Sequence, residues 1–522
     1  MIVRLRSTLR SLVGSSRKRG VFVATACNAA SATVGFLFIP EYIRHLGIES
    51  VAYVGILTSL LAFASIADLG MGAVLSFRIA SAADPRQLSR QESTSARRIL
   101  TAVTAIAILV AVSGIVLREL FGQWLVPPSQ HLAVDTSSIA VLTGFCLAAR
   151  ILESVARGSV IASGRQAQAA IINVCFTVAR VAGVLLVISE PGTGLVAFVA
   201  WNAGALVVSA LCALVQAWFI TRPRSRSSAS QNLVIRAENL ATGAFATSVL
   251  GVVAIQADRV YFQGRISELD MAAYCLATSV LSVRGMLIVP MIQAFMPLMT
   301  RHLASGQRVM ARGLFEQQAK LQSCAIIPPL LVLCFMPEEF LFAWTESGDL
   351  AKAGADSLRL LSVAAILNSL SAIPHAAELA SGATSQGLRF AASGCLINIT
   401  CLFALTRPLG SIAGGVGHVV SYCTYLSVFA PRIVGDRLGC SPWLWIKRAT
   451  SLPVLVSLTA IAATFALIGV VESRLACVAK VGLPIAVSWL ACIWFLKPWR
   501  ELSTLIPLAT PRVLPNDISD SE

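Results

Sequence analysis

The stretch QAAIINVCFTVARVAGVLLVI at residues 168–188 is the segment that best indicates the fold class. It is long enough to cross a hydrocarbon core of about 30 Å as a helix, and it carries Arg180 near its middle. An arginine at that depth does not easily reach water, and insertion scales give it a cost of about 2.5–3.5 kcal/mol. The stretch therefore predicts a membrane-spanning helix whose arginine faces a cavity or a partner.

Similar apolar stretches recur along the whole chain of 522 residues, which is 56% hydrophobic and only 13% charged. That charge is too small to cover the surface of a soluble domain, and no soluble domain fits between the stretches. The sequence predicts an all-α polytopic membrane protein with about fourteen transmembrane helices. The predicted spans lie near 21–43, 51–78, 99–117, 138–156, 168–188, 193–219, 240–263, 271–297, 322–345, 357–380, 388–406, 409–431, 449–471 and 478–496.

Most of the 41 Lys and Arg residues fall in every second loop between these spans, and the net charge is +15. Basic loops stay on the cytoplasmic side of a membrane. The asymmetry predicts that both termini are cytoplasmic.

Signatures of catalysis and of metal binding are absent from the sequence. It has no GKS or GKT phosphate loop, no GxSxG and no HExxH, and all of its 13 cysteines except Cys440 and Cys477 fall inside predicted spans. Cysteines so placed are typical packing residues. The outward loops are short, which disfavours an enzyme that assembles glycans. We expect no enzyme activity, no cofactor, no metal and no structural disulfide.

The informative residues are ionisable groups at membrane depth. Arg180 and Arg284 lie deepest, and a substrate-binding role competes there with a buried structural ion pair. Arg150 and Glu153 are three residues apart on one helix face, where they can pair with each other. The structural interpretation leads for that pair, although Arg150 stays a weaker substrate-binding candidate and Glu153 a candidate for a coupling cation.

Three further positions have two interpretations each. Asp68 precedes Gly70 and Gly72, which permit a bend, so it either binds a partner or coupling cation or makes a structural hydrogen bond. Asp258 and Arg259 lie toward the outer end of one span. They form a lateral salt bridge at a cavity mouth in the favoured interpretation, and Arg259 binds substrate in the other.

Two histidines and one glutamate complete the candidates. His375 follows Pro374, and His418 lies in the middle of a predicted span. Each histidine either relays protons or packs within a helix bundle. Glu378 is a third possible site for a counter-moving proton or sodium ion.

A weak internal repeat indicates two lobes. The segment 49–53, ESVAY, matches the segment 270–274, DMAAY, at an offset of six spans. Such parallel repeats are related by an axis along the membrane normal. The predicted parts are a basic cytoplasmic N-terminus (1–20), an N-lobe (21–221), a linker (222–239), a C-lobe (240–431), two further helices with their preceding loop (432–496) and a cytoplasmic tail (497–522).

Several of these segments carry a family resemblance. They are Phe38 to Gly47 (FIPEYIRHLG), Tyr53-Val54-Gly55, Ala67 to Gly72 (ADLGMG), Asp258 to Tyr261 (DRVY), Tyr274 to Ala277 (YCLA), and Pro297 before Arg301. The chain resembles the Wzx-type polysaccharide-export flippases of the multidrug/oligosaccharidyl-lipid/polysaccharide superfamily. The likeness is clearest over residues 20–80 and 240–300.

The resemblance implies that two six-helix lobes move a polyprenyl-diphosphate-linked oligosaccharide outward across a bacterial cytoplasmic membrane by alternating access. It implies the lipid bilayer, a polysaccharide polymerase and export machinery as partners, and no nucleic acid. Arg180 and Arg284 would hold the diphosphate, because the guanidinium fork matches phosphate oxygens. The alternatives are a lipid II flippase, a drug/cation antiporter of the same superfamily and a membrane glycosyltransferase or polymerase.

Overall fold

The computed structural model describes residues 16–68, 70–80, 88–126, 135–189, 194–225, 231–381, 385–441, 443–468 and 473–496. The predicted tail and most of the predicted N-terminal segment lie outside these residues. The helices are α1 (Ser16–Leu37), α2 (Ile39–Leu46), α3 (Ile48–Ala64), α4 (Met71–Ala80), α5 (Arg90–Val116), α6 (Arg118–Leu125), α7 (Thr136–Ala162), α8 (Gln166–Ser189), α9 (Leu195–Ile220), α10 (Gln231–Phe262), α11 (Glu268–Ser282), α12 (Gly285–Ala304), α13 (Arg308–Phe335), α14 (Pro337–Thr345), α15 (Gly348–Ala380), α16 (Ser385–Leu409), α17 (Ile412–Thr424), α18 (Ala430–Leu438), α19 (Leu444–Ile468) and α20 (Arg474–Leu496).

Within the described residues, 11 helical segments are long and apolar enough to cross a membrane. The chain is an all-α, multi-pass membrane protein, as the sequence predicts. Three predicted spans are not among these 11 segments. Span 21–43 lies on α1, span 51–78 lies on α3 with α4, and span 240–263 lies on α10. The number fourteen therefore stays a prediction.

Two spans that the sequence predicts as continuous are interrupted. The first breaks between α3 and α4, where Gly70 has φ +82°. A left-handed residue of this kind favours glycine, because a side chain there would be strained. The second breaks between α11 and α12, where Val283, Arg284 and Met286 each donate a backbone hydrogen bond to the residue three positions earlier. This tight turn replaces the α-helical pattern and places Arg284 at the break.

The chain forms two compact units. Unit one comprises Met1–Met286, Pro337–Ala364 and Thr384–Tyr425. A buried apolar cluster of this unit joins α4, α5, α7 and α9 around Leu75, Leu100 and Ile151. Helices α5 and α7 cross at Gly114 and Gly144, where a Cβ atom on Gly114 would lie 2.9 Å from the Cα atom of Gly144. Small residues at such crossings let membrane helices pack closely.

Unit two comprises Leu287–Met336, Ala365–Ala383 and Leu426–Glu522. Its core contains the fully buried Met299 and Phe315, and the ring of Phe315 packs edge-on against Trp445 at a centroid distance of 5.2 Å. The predicted lobes 21–221 and 240–431 have other boundaries, and they stay a prediction.

The start of the predicted linker is anchored in unit one. Strand β1 (Leu88–Ser89) pairs in parallel with β2 (Pro223–Ser225), and the Ser93 hydroxyl donates to the Thr221 carbonyl at 2.5 Å. The residues predicted as the start of the linker therefore lie against the beginning of α5.

Candidate functional site

Arg180 points away from the exposed side of α8. Ile171, Val178 and Leu186 form the exposed strip of this helix. Arg180 follows Ile171 by nine residues, which is about half a turn around the helix axis at about 100° per residue. Its guanidinium interacts electrostatically with Tyr42 of α2. The orientation places the charge inside unit one.

Trp201 of α9 fixes the backbone of α8 at this arginine. Its indole Nε1 donates a hydrogen bond to the Arg180 carbonyl at 3.0 Å. The indole lies across Gly183, where an added Cβ atom would be 1.9 Å from the Trp201 ring. Among the residues that the structure describes, Arg180 forms no ion pair with a carboxylate.

Arg284 lies at the break between α11 and α12. It donates a hydrogen bond to the Leu281 carbonyl at 3.1 Å and interacts electrostatically with Tyr422 of α17. Helix α12 begins at the next residue, Gly285, beside which an added Cβ atom would meet nothing within 4 Å. A helix N-terminus carries partial positive charge, so the break places two positive features beside open space. No described carboxylate pairs with Arg284 either.

Asp258 is the most deeply buried of the candidate acids, with 0% of its surface exposed. It accepts hydrogen bonds from the Tyr274 hydroxyl and, at 2.8 Å, from the backbone N–H of Arg259. The His418 Nε2 atom lies 3.3 Å from the same carboxylate. Side chains from α10, α11 and α17 therefore meet at one buried carboxylate.

The guanidinium of Arg259 does not pair with Asp258, so the favoured salt bridge is wrong. It donates instead to the Thr58 hydroxyl at 3.1 Å, to the Ser59 hydroxyl at 3.3 Å and to the Thr278 hydroxyl. Consecutive residues of a helix point in different directions, which separates the two side chains. Arg259 thus links α10 to α3 and α11.

Glu153 is 3% exposed and is bound by two arginines. Arg150 donates to it at 3.1 Å, as the sequence predicts, and Arg157 and the Ser209 hydroxyl also donate to it. Arg157 further binds the Asn173 side chain at 2.7 Å. Two cations on one carboxylate leave an excess positive charge in this part of unit one.

Asp68 caps the helix that follows the first break. Its carboxylate accepts from the Gly70 N–H at 3.2 Å and from the Gly72 N–H at 2.7 Å. This is the structural hydrogen bond that the sequence offers as one of two interpretations. In unit two, the His375 Nδ1 atom lies 3.4 Å from the Glu378 carboxylate, which is 2% exposed.

The family described as "Polysaccharide biosynthesis protein" matches residues 18–303, and the MatE family matches residues 244–403. The first match covers more than half of the chain. The chain belongs to the polysaccharide biosynthesis protein family. The superfamily to which the sequence resemblance points is thereby confirmed.

Solved structures with the same fold are transporters with low sequence identity to this chain. The lipid II flippase MurJ, in an inward closed conformation, is 10% identical with a TM-score of 0.60, covering 93% of this chain and 99% of its own. A MOP superfamily transporter from Pyrococcus furiosus is 13% identical with a TM-score of 0.57, covering 83% and 98%. The MATE multidrug transporter DinF-BH is 17% identical with a TM-score of 0.54, covering 84% and 96%. At these identities the likeness concerns the fold alone. No curated protein sequence matches the chain.

Two residues at the candidate sites were not predicted from the sequence, Arg157 and Trp201. Arg157 is four residues after Glu153, a spacing that predicts pairing, but it lies at the end of a predicted span where arginine is expected anyway. Trp201 is 21 residues from Arg180 in the sequence, and it binds a backbone carbonyl. No sequence pattern reports a contact of that kind.

Proposed function

We propose that this protein is a flippase that moves a polyprenyl-diphosphate-linked oligosaccharide from the cytoplasmic to the outer leaflet of a bacterial cytoplasmic membrane. The observation that carries the proposal is the pair of deep arginines, Arg180 and Arg284, neither of which pairs with a described carboxylate. Unpaired cations at membrane depth are costly, and an anionic substrate that enters the membrane would offset this cost.

The four arginines have unequal roles in this proposal. Arg180 and Arg284 keep donors for the diphosphate, and the N-terminus of α12 adds to the positive potential at Arg284. Arg150 already binds Glu153, and the Arg259 guanidinium already binds three hydroxyl groups. These two therefore contribute mainly charge and helix positioning.

A drug/cation antiporter fits the contacts less well. It would need a carboxylate that is free to bind a cationic drug. Asp68, Glu153 and Asp258 already accept two or more hydrogen bonds each, and Glu378 lies beside His375. A lipid II flippase is the same chemical class of transporter with another sugar, and the test below also separates these two.

We further propose that Asp258 and His418 bind a proton that couples to transport. The pair is buried, Tyr274 donates to its carboxylate, and Arg259 is adjacent in the chain. The Arg259 guanidinium reaches α3, so a charge change at Asp258 would be felt at the contact between α3 and α10. The coupling roles of Asp68, Glu153 and Glu378 are weaker, because each already has a structural partner.

The test is mass spectrometry of lipid-linked saccharides in cells that lack the protein. Cells are complemented with the intact chain, with R180A/R284A, or with the control R118A/R359A, which removes two exposed arginines. We expect a complete polyprenyl-diphosphate oligosaccharide to accumulate without the protein and with R180A/R284A, and to disappear with the intact chain and the control.

The sugar of the accumulating lipid names the substrate and separates an export oligosaccharide from lipid II. An unchanged lipid pool would overturn the proposal and direct attention to small solutes. An incomplete glycan would indicate a glycosyltransferase instead. Full rescue by R180A/R284A would still agree with a flippase, but it would show that neither arginine belongs to the substrate-binding site.

A further inference from the structure

A group of cations lies at the ends of four helices in unit two, two of which end there and two of which begin there. They stand in the last turn of α12, the first turns of α13, the last turn of α18 and the beginning of α19. We name this group the basic rim. It consists of Arg301, Arg308, Arg312, Arg437, Lys447 and Arg448.

The basic rim is built on a rigid base. The buried side chains of Met299, Phe315, Leu438 and Trp445 belong to one core cluster, to which each of the four helix ends contributes. The rim cations are only a few residues away from these side chains along the chain. Their spacing is therefore set by helix packing rather than by a loop.

The rim has an excess of positive charge. Glu316 accepts from the Arg312 Nε atom at 3.1 Å and lies 3.9 Å from the Arg448 guanidinium, so two helices share one carboxylate. Arg312 also donates to the Gly439 carbonyl at 3.3 Å. Within 299–320 and 434–450, Glu316 and Asp436 are the only acidic residues of the sequence. In these two segments, the six cations of the rim therefore outnumber the acidic residues by four.

Exposed apolar side chains stand beside these cations. Val309 is 84% exposed and Trp443 is 55% exposed. On α19, Leu444 and the exposed Leu455 are eleven residues apart, which places them within about 20° of each other around the helix. Arg448 lies within about 40° of Leu444 on the same face. The rim therefore continues the lipid-exposed face of a membrane helix, where apolar side chains meet acyl chains and cations meet headgroups.

We infer that the basic rim binds the headgroups of anionic phospholipids in the adjacent leaflet. Guanidinium groups bind phosphate oxygens with good geometry, and a cation near an anionic membrane surface contributes about 1 kcal/mol. Loop arginines are ordinarily topology signals. The cations of the rim instead stand on helix ends that pack into one core, and Arg312 and Arg448 share the Glu316 carboxylate. The inference does not depend on the flippase proposal.

The test is native mass spectrometry of the purified full chain with equal amounts of phosphatidylglycerol and phosphatidylcholine. We expect the intact chain to retain mainly phosphatidylglycerol. The variant R308Q/K447Q, which leaves both arginines on Glu316, should lose this lipid by about fivefold per removed cation, the equivalent of ~1 kcal/mol each. Size-exclusion elution and thermal unfolding would establish that the variant is folded.

The matched control is R118Q/R359Q, which removes the same charge at two exposed positions of unit one, the start of α6 and the interior of α15. It should retain phosphatidylglycerol as the intact chain does. Equal retention of the two lipids by the intact chain would overturn the inference. So would an equal loss in the control, because net charge rather than the rim would then decide binding.

Discussion

At the level of single residues, the indole of Trp201 lies directly over Gly183, three residues from Arg180, and leaves no room for a side chain there. We predict that Gly183→Ala impairs transport, because its Cβ atom would overlap the indole and displace it from the Arg180 carbonyl. Overpacking of this kind costs about 1–3 kcal/mol. Lipid-linked saccharide levels and thermal unfolding measure the effect on transport and on stability.

Gly204→Ala is the matched control, since it lies on the same helix as Trp201 and its Cβ atom would meet nothing within 4 Å. We expect it to behave as the intact chain does. If Gly183→Ala transports as well as the control, Trp201 does not position Arg180.

The residues themselves were partly predictable from the sequence. Hydropathy places Arg180 in the middle of a span, and the spacing of Arg150 and Glu153 predicts their ion pair, which the structure contains. The predicted salt bridge between Asp258 and Arg259 is wrong, because neighbours in sequence need not face each other on a helix. Their partners come from other helices, and a single sequence does not reveal which helices pack together.

At the scale of the helix, the two broken spans differ in how visible they are in the sequence. Gly70 and Gly72 mark the break at Asp68 in the sequence, and the Asp68 carboxylate caps the next helix. The break at Arg284 is followed by a single glycine, Gly285, which begins α12, and residues 281–286 contain no proline. Backbone hydrogen bonds to the third preceding residue form the tight turn there.

Helix α14 offers a prediction about opening at the predicted outer side of unit one. Phe36 of α1 stacks on Trp344 at a centroid distance of 4.4 Å, and Arg44 binds Glu346 at 2.8 Å. Glu346 has φ +59°, which is strained for a residue with a side chain. We predict that Trp344→Ala loosens α14 more than Glu346→Gln does.

The reason is the relative size of the two contacts. An exposed ion pair contributes about 0–1 kcal/mol, whereas an aromatic pair adds about 0.5–1.5 kcal/mol to its buried apolar area. Hydrogen exchange of the peptide 337–345 measures the loosening. Faster exchange in Glu346→Gln than in Trp344→Ala would mean that the ion pair holds this contact.

At the scale of the whole molecule, the sequence predicts the class far better than the internal arrangement. Span hydropathy gives a multi-pass helical membrane protein, because each apolar helix is stabilised by lipid independently of its neighbours. The meeting of Asp258, Tyr274 and His418 depends on three helices that pack side by side. Hydropathy carries no information about such contacts, so the cluster of these three side chains, the proposed proton site, becomes visible only in the fold.

The driving force of the proposed transport, voltage or a proton gradient, is also a property of the whole molecule. A potential of 100 mV moves each negative charge outward with about 2.3 kcal/mol, whereas one pH unit supplies about 1.4 kcal/mol per proton. A diphosphate-linked substrate carries more than one negative charge. We predict that flipping by the intact protein in vesicles responds more strongly to 100 mV than to a gradient of one pH unit.

The histidine variant separates the two contributions. We predict that His418→Gln abolishes the response to the pH gradient and keeps the response to voltage, because it removes the imidazole beside Asp258 and leaves Arg180 and Arg284 in place. His302→Gln is the control, since His302 is bonded to Gln307 at a helix end. A pH response that survives in His418→Gln would move the proton site away from Asp258. Flipping that continues unchanged after the potential is abolished, with ion gradients kept, would exclude voltage as the driving force.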